Sequence, residues 1–220
     1  MYRIVDILSA EEVAECREIA AGATFVDGKV SNPHNKAKQN EQLHEPSAYQ
    51  RSAKIIVDAM GRCPEFLEFA FPVTVAPPLL TRYRPGMRYG AHADAAYLTL
   101  PSGTLRSDIS CTIFLNEPES YEGGSLHIRL GDADIRFKLN PGQAIFYPSD
   151  TMHEVEPVTS GERLVAITFF QSRVPDPFRR NLLFELNEVA ALEGNNMSQE
   201  NFSRMQLIQS SLLRYWGEQP

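Results

Sequence analysis

With 220 residues, of which 43% are hydrophobic, 22% charged and 10% aromatic, the chain has the length for one main core and the composition of a packed protein rather than a disordered or fibrous one. A formal charge of −7 and a sequence pI near 5.3 argue against a surface that neutralises a phosphate backbone, so nucleic acid is not an expected partner. The first residues carry acids where a leader would be basic and apolar, and the stretch from Phe69 to Leu80 is short and broken by Pro72, Pro77 and Pro78; together with the odd number of cysteines (Cys16, Cys63, Cys111), this predicts no export, no membrane span and a cytoplasmic setting.

In chain order, Ser9 and Glu12 have the spacing of a capping box, and Val13, Cys16, Ile19 and Ala20 recur on one face of the helix it opens. Residues 27–50 lose apolar periodicity and collect Asn, Gln, Lys and Gly, which predicts a long surface loop, either a lid over a site or a plain excursion. Helices and this loop make up an N-terminal part, residues 1–72, packed on the core.

A β region spans 73–174, with short β-branched and aromatic runs between turn residues: VTV at 73, LLTRYR at 79, ISCTIFL at 109, SLHIRL at 125, DIRFKL at 134, AIFYP at 144, HEVEPV at 153 and RLVAITFFQ at 163. Strands of this number and length fit a double-stranded β-helix, or jelly roll, whose open end can hold a ligand. The fold class expected is therefore mainly β with flanking helices.

A C-terminal helical extension covers 175–220. Its first helix starts at Asp176 and Pro177, carries Leu182, Leu183, Leu186, Val189 and Ala190, and ends at Gly194. Ser198 caps the second, which aligns Phe202, Met205, Ile208, Leu212 and Trp216. This stripe has two outlets: the outside of the β core, or a second copy of the chain in a homodimer.

The chemistry concentrates in two segments. In RYRPGMRYGAHADAAY, His92 and Asp94 are two positions apart, so an extended backbone aims both side chains to one side. In FYPSDTMHEV, His153 follows a tight turn and opens a strand. Two histidines and one carboxylate form a facial set that leaves three adjacent metal positions open, as non-haem iron(II) requires to take a bidentate keto acid and dioxygen together. Arg163, ten positions after His153, heads an apolar strand, where its planar fork needs either an anion or an exposed place beside Glu162. Asp150 is a candidate to orient His153 or a simple turn residue; His34 and His44 fall in the polar loop, and His127 lies on a strand of open facing.

These residues, with DGK and KQNEQL in the early segment, RSDISCTIFLNEPESYEGGSLHI, LNPGQAIFYPSDTMHEVEPVTSGERLVAITFFQS and RRNLLFELNEV, resemble the iron(II)/2-oxoglutarate oxygenases, in particular the bacterial PKHD-type hydroxylases of the prolyl 4-hydroxylase-like group. The resemblance implies that His92, Asp94 and His153 hold Fe(II) and that Arg163 holds the distal carboxylate of 2-oxoglutarate, with Tyr83, and less strongly Tyr89, reaching the same cosubstrate. It also implies hydroxylation of a small-molecule or protein substrate with release of succinate and carbon dioxide, L-ascorbate as reductant, and a setting in bacterial iron homeostasis. The chain departs from the family pattern at Ser125, where the family commonly has Glu, and at Phe169–Ser172, where Trp is frequent, which leaves substrate preference open. Phe169 also stands where nucleic-acid demethylases of a related class carry a second arginine. Two other readings fit the same ligands: a cupin-type metal enzyme that does not use 2-oxoglutarate, and a non-catalytic iron or keto-acid sensor.

Overall fold

The three runs with no polar face become the centre of one antiparallel sheet in the computed structural model, which describes residues 2–31 and 37–218. Strand Ile109–Phe114 pairs with Gln143–Pro148 on one side and with Arg163–Ser172 on the other. Among the described residues the order across this sheet is Arg3–Asp6, Gln143–Pro148, Ile109–Phe114, Arg163–Ser172, Leu79–Tyr83, Glu41–Leu43, Phe25–Asp27, with Pro72–Val75 also paired to Arg163–Ser172. A smaller sheet runs Ala133–Phe137, Leu126–Leu130, His153–Val155, Arg88–His92, Lys38–Gln39. Together they form the expected jelly roll.

The period of two along each central strand explains why these runs are continuously apolar. Leu164, Ala166 and Phe170 face a core closed by helices, together with Ile109, Ile113, Ala144 and Phe146. Val165, Phe114, Ile145 and Tyr147 face the smaller sheet and share a second core with Leu126, Ile128, Phe137 and Val155. Both faces are buried, so neither alternates with polar residues. The candidate site opens between the two sheets at the end of this second core.

Helices α1 (Ala10–Gly22), α2 (Pro46–Gly61) and α3 (Pro64–Ala70) close the outer face of the larger sheet. α1 has the predicted box, with Ser9 Oγ accepting from Glu12 N at 3.3 Å and Glu12 Oε2 accepting from Ser9 N at 2.9 Å, and its predicted face is the buried one. In α4 (Pro177–Glu193) Asp176 caps Arg179 N at 2.8 Å, and Phe184 meets Phe69 of α3 edge-on at 6.0 Å. Ser198 caps α5 (Gln199–Trp216) as predicted.

Four expectations change. The loop predicted at 27–50 is built structure over most of its described length: a 3-10 turn at Gly28–Val30, strands Lys38–Gln39 and Glu41–Leu43, and the first turn of α2. Its residues look like loop because its strands are only two and three residues long and their polar side chains are used for pairing, as Glu41 is by Arg82 at 2.6 Å. HEVEPV divides into His153–Val155 and Val158–Ser160, since Pro157 has no amide proton for a continuous ladder. Strands Arg3–Asp6, Arg88–His92 and Gly103–Arg106 carry too much charge or too much Gly and Ala to read as strands, and Tyr97–Leu100, a strand-like YLTL run, is not among those expected. Finally, of the two outlets for the α5 stripe, packing on the body buries only Met205 among the described residues, and Ile208 is 53% exposed.

Candidate active site

His92 ends strand Arg88–His92 and is the register partner of His153 on the neighbouring strand. The ring centroids stand 4.2 Å apart. His92 Nδ1 donates to the Gly90 carbonyl at 2.8 Å and His153 Nδ1 donates to the Thr151 carbonyl at 3.0 Å. A carbonyl only accepts, so Nδ1 is the donor on both rings and Nε2 of each is turned toward Asp94. Asp94 lies just past the strand end, its N–H tied to the Ser149 carbonyl at 3.1 Å. Its Oδ1 is 3.9 Å from His92 Nε2 and its Oδ2 is 3.7 Å from His153 Nε2. One ligand atom from each residue lies within 4.8 Å of the others, the spacing a single ion can bridge. Burial, and then His153, push the His92 imidazolium down to about 4, so the ring is neutral and free to ligate at ordinary pH.

Arg163 supplies a second test of what the site is built for. It is 1% exposed, and its Nε and Nη2 have no hydrogen-bond partner in the structure. The exposed position beside Glu162 is excluded; Glu162 turns outward to Arg84 at 3.3 Å. A buried guanidinium left this way costs several kcal/mol unless an anion joins it, and a planar carboxylate matches its fork. The cradle is shaped for that side chain: a Cβ on Gly124, at φ +63°, would stand 2.8 Å from Val158 Cγ2 and 3.2 Å from Arg163 Cδ. Tyr83 is the register partner of Arg163, with its ring centroid 5.0 Å from Arg163 Cζ. Burial raises the Tyr83 hydroxyl above its ordinary value, so it stays a neutral phenol. An anion holder beside a two-His, one-carboxylate set fits iron(II) with a bidentate keto acid.

Several residues of this pocket were not singled out by sequence. Asn40 Nδ2 donates to Tyr83 Oη at 2.9 Å, and Lys38, 4% exposed, lines the cavity with Tyr89, His92 and Asp94. Both come from the segment that reads as loop; its register with the sheets was the missing signal. Burial brings the Lys38 ammonium down to about 8. Tyr89 stacks on His92 at 3.6 Å between centroids, and Tyr147 meets His153 edge-on at 5.0 Å. Ser110 Oγ donates to Asp94 Oδ2 at 2.6 Å, with Ser149 Oγ 2.8 Å behind it and Ser107 Oγ 2.8 Å behind that.

The remaining histidines stay out. His127 is the partner of Glu154, 3.0 Å from Nδ1, on the face away from His153. His44 is exposed beside a surface groove, and His34 lies outside the described residues. Asp150 is exposed and is not the residue that orients His153, since the Thr151 carbonyl takes the ring proton.

The family model of the 2OG-Fe(II) oxygenase superfamily matches residues 78–171, which contain every residue of the triad and Arg163. A PKHD-type hydroxylase of Sphingopyxis alaskensis is 60% identical over 98% of this chain and 99% of its own. The chain belongs to the PKHD-type hydroxylases. Another such hydroxylase, from Nitrobacter winogradskyi, is 40% identical over 98% of both chains. Among solved structures the fold is shared with a Pseudomonas putida prolyl-4-hydroxylase (TM-score 0.55, 21% identity, 78% of this chain and 92% of that one). It is shared too with a prolyl hydroxylase from Trichoplax adhaerens in complex with a hypoxia inducible factor peptide fragment (TM-score 0.58, 15% identity, 82% and 86%). This PKHD-type hydroxylase is thus an enzyme of the class that uses iron(II) and 2-oxoglutarate, which disfavours the cupin-type and sensor readings.

Proposed function

We propose that His92 Nε2, His153 Nε2 and one oxygen of Asp94 hold the iron, and that Arg163 with Tyr83 holds the distal carboxylate of 2-oxoglutarate. The observation that carries this reading is the buried guanidinium of Arg163, whose Nε and Nη2 have no hydrogen-bond partner, in the same cavity as the triad. Bound there, iron and 2-oxoglutarate would supply the oxidising chemistry with dioxygen as the oxidant, one oxygen atom going into succinate as carbon dioxide leaves and the other into the hydroxyl group formed at a substrate C–H.

The protein's own part is orientation, charge balance and exclusion of water. Ser110 holds Asp94 Oδ2, which leaves Oδ1 for the metal. Gly90 and Thr151 fix the two rings. Arg163 orients the cosubstrate by its far end, so the near end meets the triad, while Leu126, Val155, Ile167 and Phe169 give the cavity apolar walls.

L-ascorbate as reductant, cytoplasmic action without a nucleic-acid or membrane partner, and a place in iron homeostasis follow from the family resemblance and the acidic composition. Among the described residues no helix is long and apolar enough to cross a membrane.

The test is aerobic: protein with Fe(II), ascorbate and 2-oxoglutarate releases succinate, and Arg163→Met abolishes release at 2-oxoglutarate levels that saturate the wild type. Succinate release unchanged in Arg163→Met would refute the assignment. For the iron setting, a strain lacking the gene should grow or accumulate metabolites differently under iron limitation, and identical behaviour would count against it.

A further inference from the structure

Lys38 is a buried cation whose neighbouring acids, Asp94 and Asp27, act on it only from beyond ion-pairing distance. Its Nζ donates to Ser31 Oγ at 2.6 Å, and that hydroxyl donates on to the Gly28 carbonyl at 3.2 Å. Among the described residues no carboxylate lies within ion-pairing distance of Nζ, and Asn32–Lys36, the stretch outside them, contains no acidic residue. One neutral hydroxyl does not repay the loss of water around an ammonium. The side chain is nevertheless held in place: Lys38 is the register partner of Tyr89, and Nζ stands 5.5 Å from the centre of that ring, which in turn stacks on His92. A Cβ on Gly28 would come 3.1 Å from Lys38 Cε, so the turn beside it is open just enough to admit the lysine stem.

In the loaded site the doubly charged metal meets Asp94 and the near carboxylate of 2-oxoglutarate, and Arg163 meets the distal carboxylate. Asp94, one of the two carboxylates that act on Lys38 from beyond ion-pairing distance, is then taken by the metal, which leaves Asp27 alone to balance a lysine that lines the cavity one ring from the metal ligands.

We propose that Lys38 is the receptor for a carboxylate on the substrate, so that this hydroxylase acts on anionic molecules held by that group beside Tyr89, with the reacting carbon at the triad. The proposal rests on the iron and 2-oxoglutarate reading above. A carboxylate is favoured over a phosphate monoester because it matches the single charge; a dianion would bring a second buried charge with no partner.

The test uses the full chain loaded anaerobically with Fe(II) and 2-oxoglutarate, and fluorine NMR of two probes of like shape, trifluoroacetate and trifluoroacetamide. Trifluoroacetate should bind the wild type, trifluoroacetamide should not, and Lys38→Met should weaken trifluoroacetate by about tenfold or more, with Lys38→Arg recovering part of it. The charge-transfer band of bound 2-oxoglutarate should persist in Lys38→Met at the wild-type concentration, which shows the variant folded and loaded. Equal trifluoroacetate binding in wild type and Lys38→Met would overturn the proposal, as would equal binding of the two probes. So would inorganic phosphate displacing the probe at lower concentration than acetate, or a Lys38→Met band that needs as much extra 2-oxoglutarate as Arg163→Met, since Lys38 would then serve the cosubstrate. If no band forms in the wild type, the iron and 2-oxoglutarate reading falls, and the probe contrast on metal-free protein still decides for or against Lys38.

Discussion

Ser110 Oγ donates to Asp94 Oδ2 at 2.6 Å, at the head of a row of hydroxyls that continues through Ser149 to Ser107. Each hydroxyl has one proton, and all of them can run toward the carboxylate, so the row ends on the one group able to accept without giving. Ser110→Ala removes that donor and lets Asp94 turn. The expected result is metal affinity weaker by about 10–100-fold with the fold intact, measured by cobalt(II) titration and circular dichroism. Unchanged affinity would show that the Ser149 tie to the Asp94 backbone suffices.

Gly28 gives way to Asn40. A Cβ at Gly28 would lie 1.8 Å from Asn40 Oδ1, so Gly28→Ala must displace the amide that holds Tyr83 Oη. A buried phenol loses its partner, at a cost of about 1–3 kcal/mol. The expectation is a lower urea midpoint together with a higher 2-oxoglutarate requirement. Asn40→Ala should share the second effect; a variant of either kind with wild-type cosubstrate binding would separate Tyr83 from the anion site.

Phe146 tests the helix-side core. It is fully buried and meets Phe66 at 5.3 Å and Phe170 at 5.9 Å between centroids. Phe146→Ala should destabilise by about 3–5 kcal/mol in chemical unfolding. Because its side chain points away from the cavity, 2-oxoglutarate affinity of the folded fraction should not change.

Acidification acts through His92. The folded value of about 4 lies below the ordinary 6.5, so between these the unfolded chain binds a proton that the folded chain does not. Stability of metal-free protein therefore falls as pH drops through that window and is fully present above it. Comparing unfolding midpoints at about pH 7.5 and about pH 5, wild type should lose more than His92→Gln, and an equal loss would contradict the shift.

What could be read in the sequence divides along burial. Val165, Phe146 and Ile113 belong to strands covered on both faces, so their apolar runs announce themselves, and Ser9 with Glu12 announces α1 by local hydrogen bonding alone. His92, Asp94, His153 and Arg163 stood out because such residue types beside apolar strands need a reason. Lys38 and Asn40 did not. Lys38 lies on a two-residue strand paired with Arg88 and Tyr89, Asn40 lies between it and strand Glu41–Leu43, which pairs with Thr81 and Arg82, and no local pattern encodes pairing so far along the chain. Ser110 was hidden by chemistry, since a serine in ISCTIFL is ordinary until Asp94 is known to lie across from it.

The central claim is best tested by adding Fe(II) and then 2-oxoglutarate to metal-free protein under argon and recording the visible charge-transfer absorption of a chelated keto acid. The account predicts a band in the wild type, none in Asp94→Ala, and in Arg163→Ala a band that appears only at far higher 2-oxoglutarate. A folded, iron-loaded wild type without the band, or an Arg163→Ala titration that overlays the wild type, would contradict it.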